Sequence, residues 1–174
     1  AEVDGKMLSS FDIPGIARWG SGGNVPDAYI FRNMTEGNFC PGSLQLNIPF
    51  TAYGQVQDVQ FNPEVRPQVW TGFTRAHAWV RVEDPGTGNL DHLNGLQLFV
   101  STNGYNFQSQ FVSIATFEDF DWHEVIFDFS ANAAVIPASV DQWGVQILSL
   151  ATAPAGAPMT PPFTIVLVDD FWIE

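Results

Sequence analysis

The chain has 174 residues, a length that suits one domain with its own core, and we expect a single domain over residues 1–174. Its 19 Asp and Glu against 6 Lys and Arg give a formal net charge of −13, which argues against nucleic acid and membranes as partners because both favour basic surfaces. The single cysteine, Cys40, excludes an intrachain disulfide.

Apolar and polar residues alternate in short runs along most of the chain. Residues 5–21 begin as a strand and run out into a loop, and eight later runs fit strands: 43–50, 53–57, 75–82, 95–101, 108–114, 122–129, 143–150 and 163–173. Turn signals such as Asn62-Pro63 and Asn103-Gly104 separate them. Because helical spacing of apolar residues is not sustained anywhere, we expect about ten strands in an all-β sandwich or barrel.

Five motifs carry a family resemblance. They are, in chain order, "KMLSSFD" with "WGS", "GSLQLNI", "WHEVIFDFS", "SVDQWGVQI" and "VDDFWIE". Together they resemble the strand signatures of jelly-roll carbohydrate-binding modules, and the opening is most similar to family eleven of these modules. The resemblance implies a jelly-roll sandwich of two antiparallel sheets that binds a neutral polysaccharide, a β-glucan in family eleven, without catalysis. It also implies a secreted or extracellular protein, with a catalytic domain as a possible appendage.

The same resemblance implies a structural calcium ion. In such modules an acid that closes the first strand and an aspartate in the last strand meet at the metal, and Asp12 and Asp169 match these positions, with Asp170 adjacent. Calcium takes six to eight oxygen ligands, so turn carbonyls would complete the set. The alternative is that Asp12 caps a turn and Asp169 points into solvent. Strict alternation argues against this, because it puts the Asp169 carboxylate on an apolar face with Ile165, Leu167, Phe171 and Ile173.

Sugar recognition needs flat apolar surfaces for the C–H faces of the rings and amides or carboxylates for the hydroxyls. In the resembling modules these groups line the concave sheet, which here would contain residues 53–57, 95–101, 108–114 and 143–150. We expect ligand contacts from Tyr53, Gln55, Gln97, Phe99, Tyr105, Gln110, Asp141 and Gln146, with Gln57 and Gln108 on the same strands. The alternative is that the glutamines only cover a solvated sheet face.

Three other features bear on function. His77, Trp79 and Arg81 point one way from one strand, which fits a stacking platform, a protein interface or a small cluster packed beneath a loop. Trp19 follows the first strand and is expected to close one end of the core. The acidic stretch 117–124 is compatible with a catalytic site, but its pattern is typical of a loop that leads into a strand.

The expected ligand strands carry almost no Asp or Glu, whereas glycosidases need two carboxylates there. We therefore expect no catalysis. The competing function is a structural or adhesion β-sandwich that makes protein contacts.

Overall fold

The structure, a computed structural model, describes residues 5–11, 18–22, 29–83, 90–155 and 164–174. Within these ranges the chain forms eleven β-strands, one short 3₁₀ helix at Ile114–Phe117 and no α-helix. The strands are β1 (Lys6–Ser9), β2 (Trp19–Ser21), β3 (Ile30–Asn33), β4 (Ser43–Ile48), β5 (Val56–Phe61), β6 (Arg75–Glu83), β7 (Leu93–Thr102), β8 (Asn106–Ser113), β9 (His123–Asp128), β10 (Val140–Ser149) and β11 (Thr164–Ile173).

The strands form two antiparallel sheets that pack face to face. The six-stranded sheet has the order β3-β4-β11-β6-β9, and β1 pairs with the end of β11. The five-stranded sheet has the order β2-β5-β10-β7-β8. Most neighbours within a sheet are not consecutive in the chain, because the chain passes repeatedly from one sheet to the other. This is a jelly-roll β-sandwich, and it confirms the predicted all-β class.

The core is filled by every second residue of the facing strands. In β6 the alternation seen in the sequence holds, and the residues that it buries are Ala76, Ala78, Val80 and Val82. The opposite sheet contributes Leu96, Leu98 and Val100 of β7 and Val145 and Ile147 of β10. Burying a Leu, Ile or Val side chain stabilises the fold by about 1.5–3 kcal/mol. The core therefore fixes which residues remain for the two outer faces.

Trp19 closes one end of the core, as predicted. Its side chain is buried, and its ring centroid lies 5.8 Å from that of Phe11, 5.7 Å from that of Phe61 and 6.3 Å from that of Phe171. These rings come from both sheets and from the first strand region. Trp19 consequently packs inside the sandwich and is not a surface for stacking a ligand.

The last strand, β11, changes the direction of its side chains at Asp170, which has a φ of 43°. Asp169 lies opposite Trp79, on the outer face of the six-stranded sheet, whereas Phe171 and Ile173 are fully buried in the core. The strict alternation predicted for this strand is therefore wrong beyond Asp169. A β-bulge inserts one extra residue, so the side chains after it point to the other face.

Candidate binding face

The outer surface of the five-stranded sheet consists of cross-strand rows of side chains. One row contains Asp58, Gln146, Gln97 and Phe111; the next contains Gln60, Gly144, Phe99 and Ser109; a third contains Gln142, Ser101 and Phe107. Residues paired across neighbouring strands point to the same side of a sheet. We call this surface the glutamine face.

Hydrogen bonds join the amides of the glutamine face. Gln97 Nε2 donates to Gln146 Oε1, and Gln146 Nε2 donates to Asp58 Oδ1 at 2.6 Å. In the neighbouring rows Gln142 Nε2 donates to Gln60 Oε1 at 2.7 Å. All five side chains are half-buried. Each Gln has further hydrogen-bonding capacity, because the amide carries two N–H donors and an oxygen with two lone pairs.

The other half of the face is aromatic. Phe99 points outward yet is only 1% exposed, because the ring of Phe107 stacks on it at 4.8 Å with an interplanar angle of 26°. Phe107 and Phe111 remain 38% and 46% exposed. They stand four residues apart on β8, which corresponds to roughly 13 Å along the strand. The face thus presents two exposed aromatic rings next to the rows of glutamine amides.

Two glycines let these rings lie close to the sheet. A Cβ atom at Gly144 would lie 3.0 Å from Cε1 of Phe99 and 2.1 Å from the carbonyl oxygen of Val59. A Cβ atom at Gly95 would lie 2.7 Å from Cζ of Phe111. Glycine in a strand often marks a place where another group approaches the backbone closely. Here a backbone carbonyl and an aromatic ring both approach each glycine, so a side chain at either position would displace them.

Tyr105 stands at one end of the face, in the turn between β7 and β8. The buried carboxylate of Asp141 accepts hydrogen bonds from the backbone N–H groups of Gly104 and Tyr105, both at 2.9 Å. The guanidinium of Arg66 lies 5.7 Å from the centroid of the Tyr105 ring and also donates to its hydroxyl. Asp141 and Arg66 therefore hold a half-exposed tyrosine in place, and the predicted ligand residue Asp141 acts here as a turn anchor.

The structure brings some of the other predicted ligand residues together. Gln97, Phe99 and Gln146 lie in the middle of the glutamine face. Tyr53 is half-buried in the turn before β5, at the end opposite Tyr105. Gln55 lies in the same turn, where its amide oxygen accepts from the backbone N–H groups of residues 51 and 52 at 2.8 and 3.2 Å. Ligand contact by these residues stays a prediction, and Gln55 has a visible role in its own turn.

Three predicted glutamines point the other way. Gln110 is paired with the core residue Leu98, and its amide oxygen accepts from the backbone N–H of Asp128 at 3.1 Å, which connects β8 to the other sheet. Gln108 has the same orientation on β8. Gln57 is only 3% exposed and faces the interior. The expectation that these side chains line the ligand-facing surface is not supported by their position.

Sequence reasoning missed several residues of this face: Asp58, Gln60, Phe107, Phe111 and Gln142. Phe107 and Phe111 alternate with Gln108 and Gln110, so period two is present in β8, but the apolar set faces outward. The sequence feature that accompanies this reversed orientation is the absence of charged residues from both the inward-facing and the outward-facing positions of β8.

The acidic stretch 117–124 lies outside the face, as a 3₁₀ helix and turn leading into β9. There the hydrogen bond from His123 to Asp119 at 2.8 Å lowers the pKa of the Asp119 carboxyl. Among the described residues Asp58 is the one carboxylate on the glutamine face. The pair of carboxylates that glycoside hydrolysis needs is not found in that part of the chain.

The predicted calcium ligands are described only in part. Asp12 lies outside the described residues. The Asp169 carboxylate is 1% exposed; it accepts from the backbone N–H of Asn38 at 2.8 Å on one oxygen and from that of Asp170 at 2.9 Å on the other. Within the described ranges no three His, Cys, Asp or Glu side chains form a metal-binding group. Asp169 alone supplies too few oxygens for calcium, so the site would depend on residues around Asp12.

No protein-family model matches the chain, and no curated protein matches it in sequence. Solved structures match in fold. A carbohydrate-binding module specific for non-crystalline cellulose, CBM28, is 12% identical with a TM-score of 0.69, over 95% of this chain and 92% of that one. The CBM22-1 xylan-binding domain of Paenibacillus barcinonensis Xyn10C is 14% identical with a TM-score of 0.58, over 98% and 94%.

An exo-β-agarase is 10% identical with a TM-score of 0.58, over 97% of this chain but only 25% of that one. At these identities the likeness shows a shared fold. The predicted resemblance to carbohydrate-binding modules is confirmed at that level, whereas the assignment to family eleven stays a prediction. No helix in the described ranges has the length and apolar character that a membrane span requires.

Proposed function

We propose that the protein binds a neutral polysaccharide on the glutamine face and does so without catalysis. The observation that carries this proposal is the juxtaposition of two exposed rings, Phe107 and Phe111, with hydrogen-bonded rows of glutamine amides. The apolar face of a pyranose ring packs on an aromatic ring, and its hydroxyls both donate and accept hydrogen bonds. Glutamine matches the hydroxyls because it also offers both functions.

Among neutral polysaccharides, we propose a β-glucan as the ligand. Two of the structures with this fold are a module specific for non-crystalline cellulose and a xylan-binding domain, and both polysaccharides are extended neutral chains. The family-eleven resemblance of the opening residues supports a β-glucan among such chains. An extended glycan suits a flat face whose two exposed rings stand about 13 Å apart along one strand.

The role that we propose is to target a secreted glycoside hydrolase or a cell-surface protein to its substrate. The glutamine face has one carboxylate among the described residues, which supports binding without hydrolysis. The match to the exo-β-agarase covers a quarter of that longer chain, which supports an appended catalytic domain and a secreted, extracellular setting. The competing function is an adhesion domain that makes protein contacts.

The direct test is affinity electrophoresis in gels that contain mixed-linkage β-glucan, xylan or galactomannan, followed by calorimetry with the soluble chain that retards the protein. We expect retardation by β-glucan, and affinity that persists in high salt because a neutral glycan forms no ion pairs to be screened. Reducing-end release during long incubation would overturn the non-catalytic part. Failure to bind any of the polysaccharides, together with capture of a protein, would favour adhesion.

We also propose that Asp169 and Asp12 hold a structural calcium ion, with Asp170 as a neighbouring ligand. The support is the match of Asp12 and Asp169 to the positions of the metal ligands in the resembling modules, together with the burial of the Asp169 carboxylate beside Asn38. Calcium would tie the start of the chain to its last strand. The measurement is the unfolding temperature with calcium and with a chelator, described below.

A further inference from the structure

The outer face of the six-stranded sheet, opposite the glutamine face, contains a pocket. It has a volume of about 420 Å³ and is lined by Gly5, Met7, Phe39, Trp79, Asp170 and Trp172. This volume lies within the range of small-molecule sites, ~300–1,000 Å³. We call it the indole pocket. The role proposed above for the glutamine face makes no use of it.

The aromatic walls of the indole pocket lie in different planes. The ring of Phe39 meets that of Trp79 edge-on, at 90° and 5.5 Å. Trp172 stacks on His77 at 4.7 Å, and His77 in turn lies 2.9 Å from the Glu124 carboxylate. His77 thus packs against one face of the Trp172 ring. The perpendicular rings of Phe39 and Trp79 suit a compact rounded group, whereas a pyranose ring stacks on one flat surface.

The surroundings of the pocket are anionic. Asp170 lines its wall at the β-bulge of β11, where a positive φ is uncommon for a residue with a side chain. Arg81, on the same outer face of β6 as Trp79, is within ion-pair distance of both Glu36 and Glu83. His77 is likewise within ion-pair distance of Glu124 and Glu174. With carboxylates in excess on this face, a cation is the complementary ligand.

We propose that the indole pocket binds a methylated ammonium group, as found in choline-like compounds. Indole and phenyl faces attract such cations through the negative potential of the ring, and the interaction strengthens when the cation is partly desolvated. The surrounding carboxylates of Glu36, Glu83 and Glu124 add charge complementarity without requiring a tight ion pair. The exposed Phe39, 72% accessible, lies at the mouth, where a ligand would cover it.

The test is a titration of the protein with choline in calcium-containing buffer, followed by the indole N–H signals of Trp79 and Trp172 in NMR spectra. The matched probe is 3,3-dimethylbutan-1-ol, which has the same shape without the charge. We expect choline to shift both signals and to bind at least about tenfold more tightly than the alcohol. Equal binding of the two compounds, or no shift with choline, would overturn the proposal.

Variants locate the binding. Phe39→Ala removes an exposed loop ring, so the fold should persist, and we expect choline binding to weaken about tenfold. Asp121→Asn, in an exposed turn, should change the affinity for neither compound. If β-glucan oligosaccharides shift the same two indole signals, the pocket is a sugar site and the proposal is wrong.

Discussion

Replacement of Phe107 by Ala is the sharpest test of the glutamine face. Phe107 is 38% exposed, and an aromatic side chain buries ~150–250 Å² in full, so a sugar that covers the remainder removes roughly 75 Å² from water. At about 25 cal/mol per Å² this burial contributes about 2 kcal/mol to binding. Loss of that contribution corresponds to a dissociation constant roughly 30-fold higher.

The assay is calorimetry with soluble mixed-linkage β-glucan, for the wild type and Phe107→Ala. A matched control is Phe31→Ala, because Phe31 is 40% exposed on β3, at the edge of the other sheet. We expect Phe31→Ala to bind as the wild type does. Unchanged affinity in Phe107→Ala, or an equal loss in both variants, would refute the assignment of the binding surface.

Three further predictions concern other parts of the molecule. Tyr53→Ala should cost about 2 kcal/mol of glucan affinity as a terminal aromatic contact, whereas Gln146→Ala should cost about 1 kcal/mol; calorimetry that ranks them the other way would contradict this order. A chelator should lower the unfolding temperature of the wild type but not of Asp169→Ala; a melting curve indifferent to both calcium and chelator would remove the metal proposal. Hydrogen bonds from Ser130 and from the Arg75 guanidinium lower the pKa of the Asp128 carboxyl. The ionised carboxylate therefore stabilises the fold at neutral pH, and this stabilisation is lost as the pH falls from about 4, the ordinary pKa of Asp, to the lowered pKa. Asp128→Asn should flatten the acid limb of the unfolding temperature against pH, and an unchanged limb would contradict this.

Alternation predicted the strands because most of them bury one face and expose the other. In β6 each core-facing residue is small or branched and each outward-facing residue is large or polar, so the pattern and the structure agree. The prediction failed for orientation in β8, where Phe107 and Phe111 face outward and Gln108 and Gln110 point towards the other sheet. A single strand does not show which of its two faces is covered; the pairing with β7 decides it.

Two other features depend on contacts that are distant in sequence. The bulge at Asp170 adds one residue to β11, and no local signal marks it, since a non-glycine residue adopts the positive φ. Asp141 was predicted as a ligand contact from its match to the family pattern. In the structure its carboxylate accepts two backbone N–H groups from the turn that follows β7, about 36 residues earlier in the chain. Such roles become visible only when the strands are paired.

The position of β8 explains why its exposed rings favour a binding function over a plain solvated face. β8 is the edge strand of its sheet, and its residues, "NFQSQFVS", include no charge and no proline. Edge strands are normally protected by such residues because an exposed apolar edge promotes self-association. A glycan laid across Phe107 and Phe111 would cover the apolar rings from the face of the sheet. The proposed binding would therefore account for a combination that stability and solubility alone disfavour.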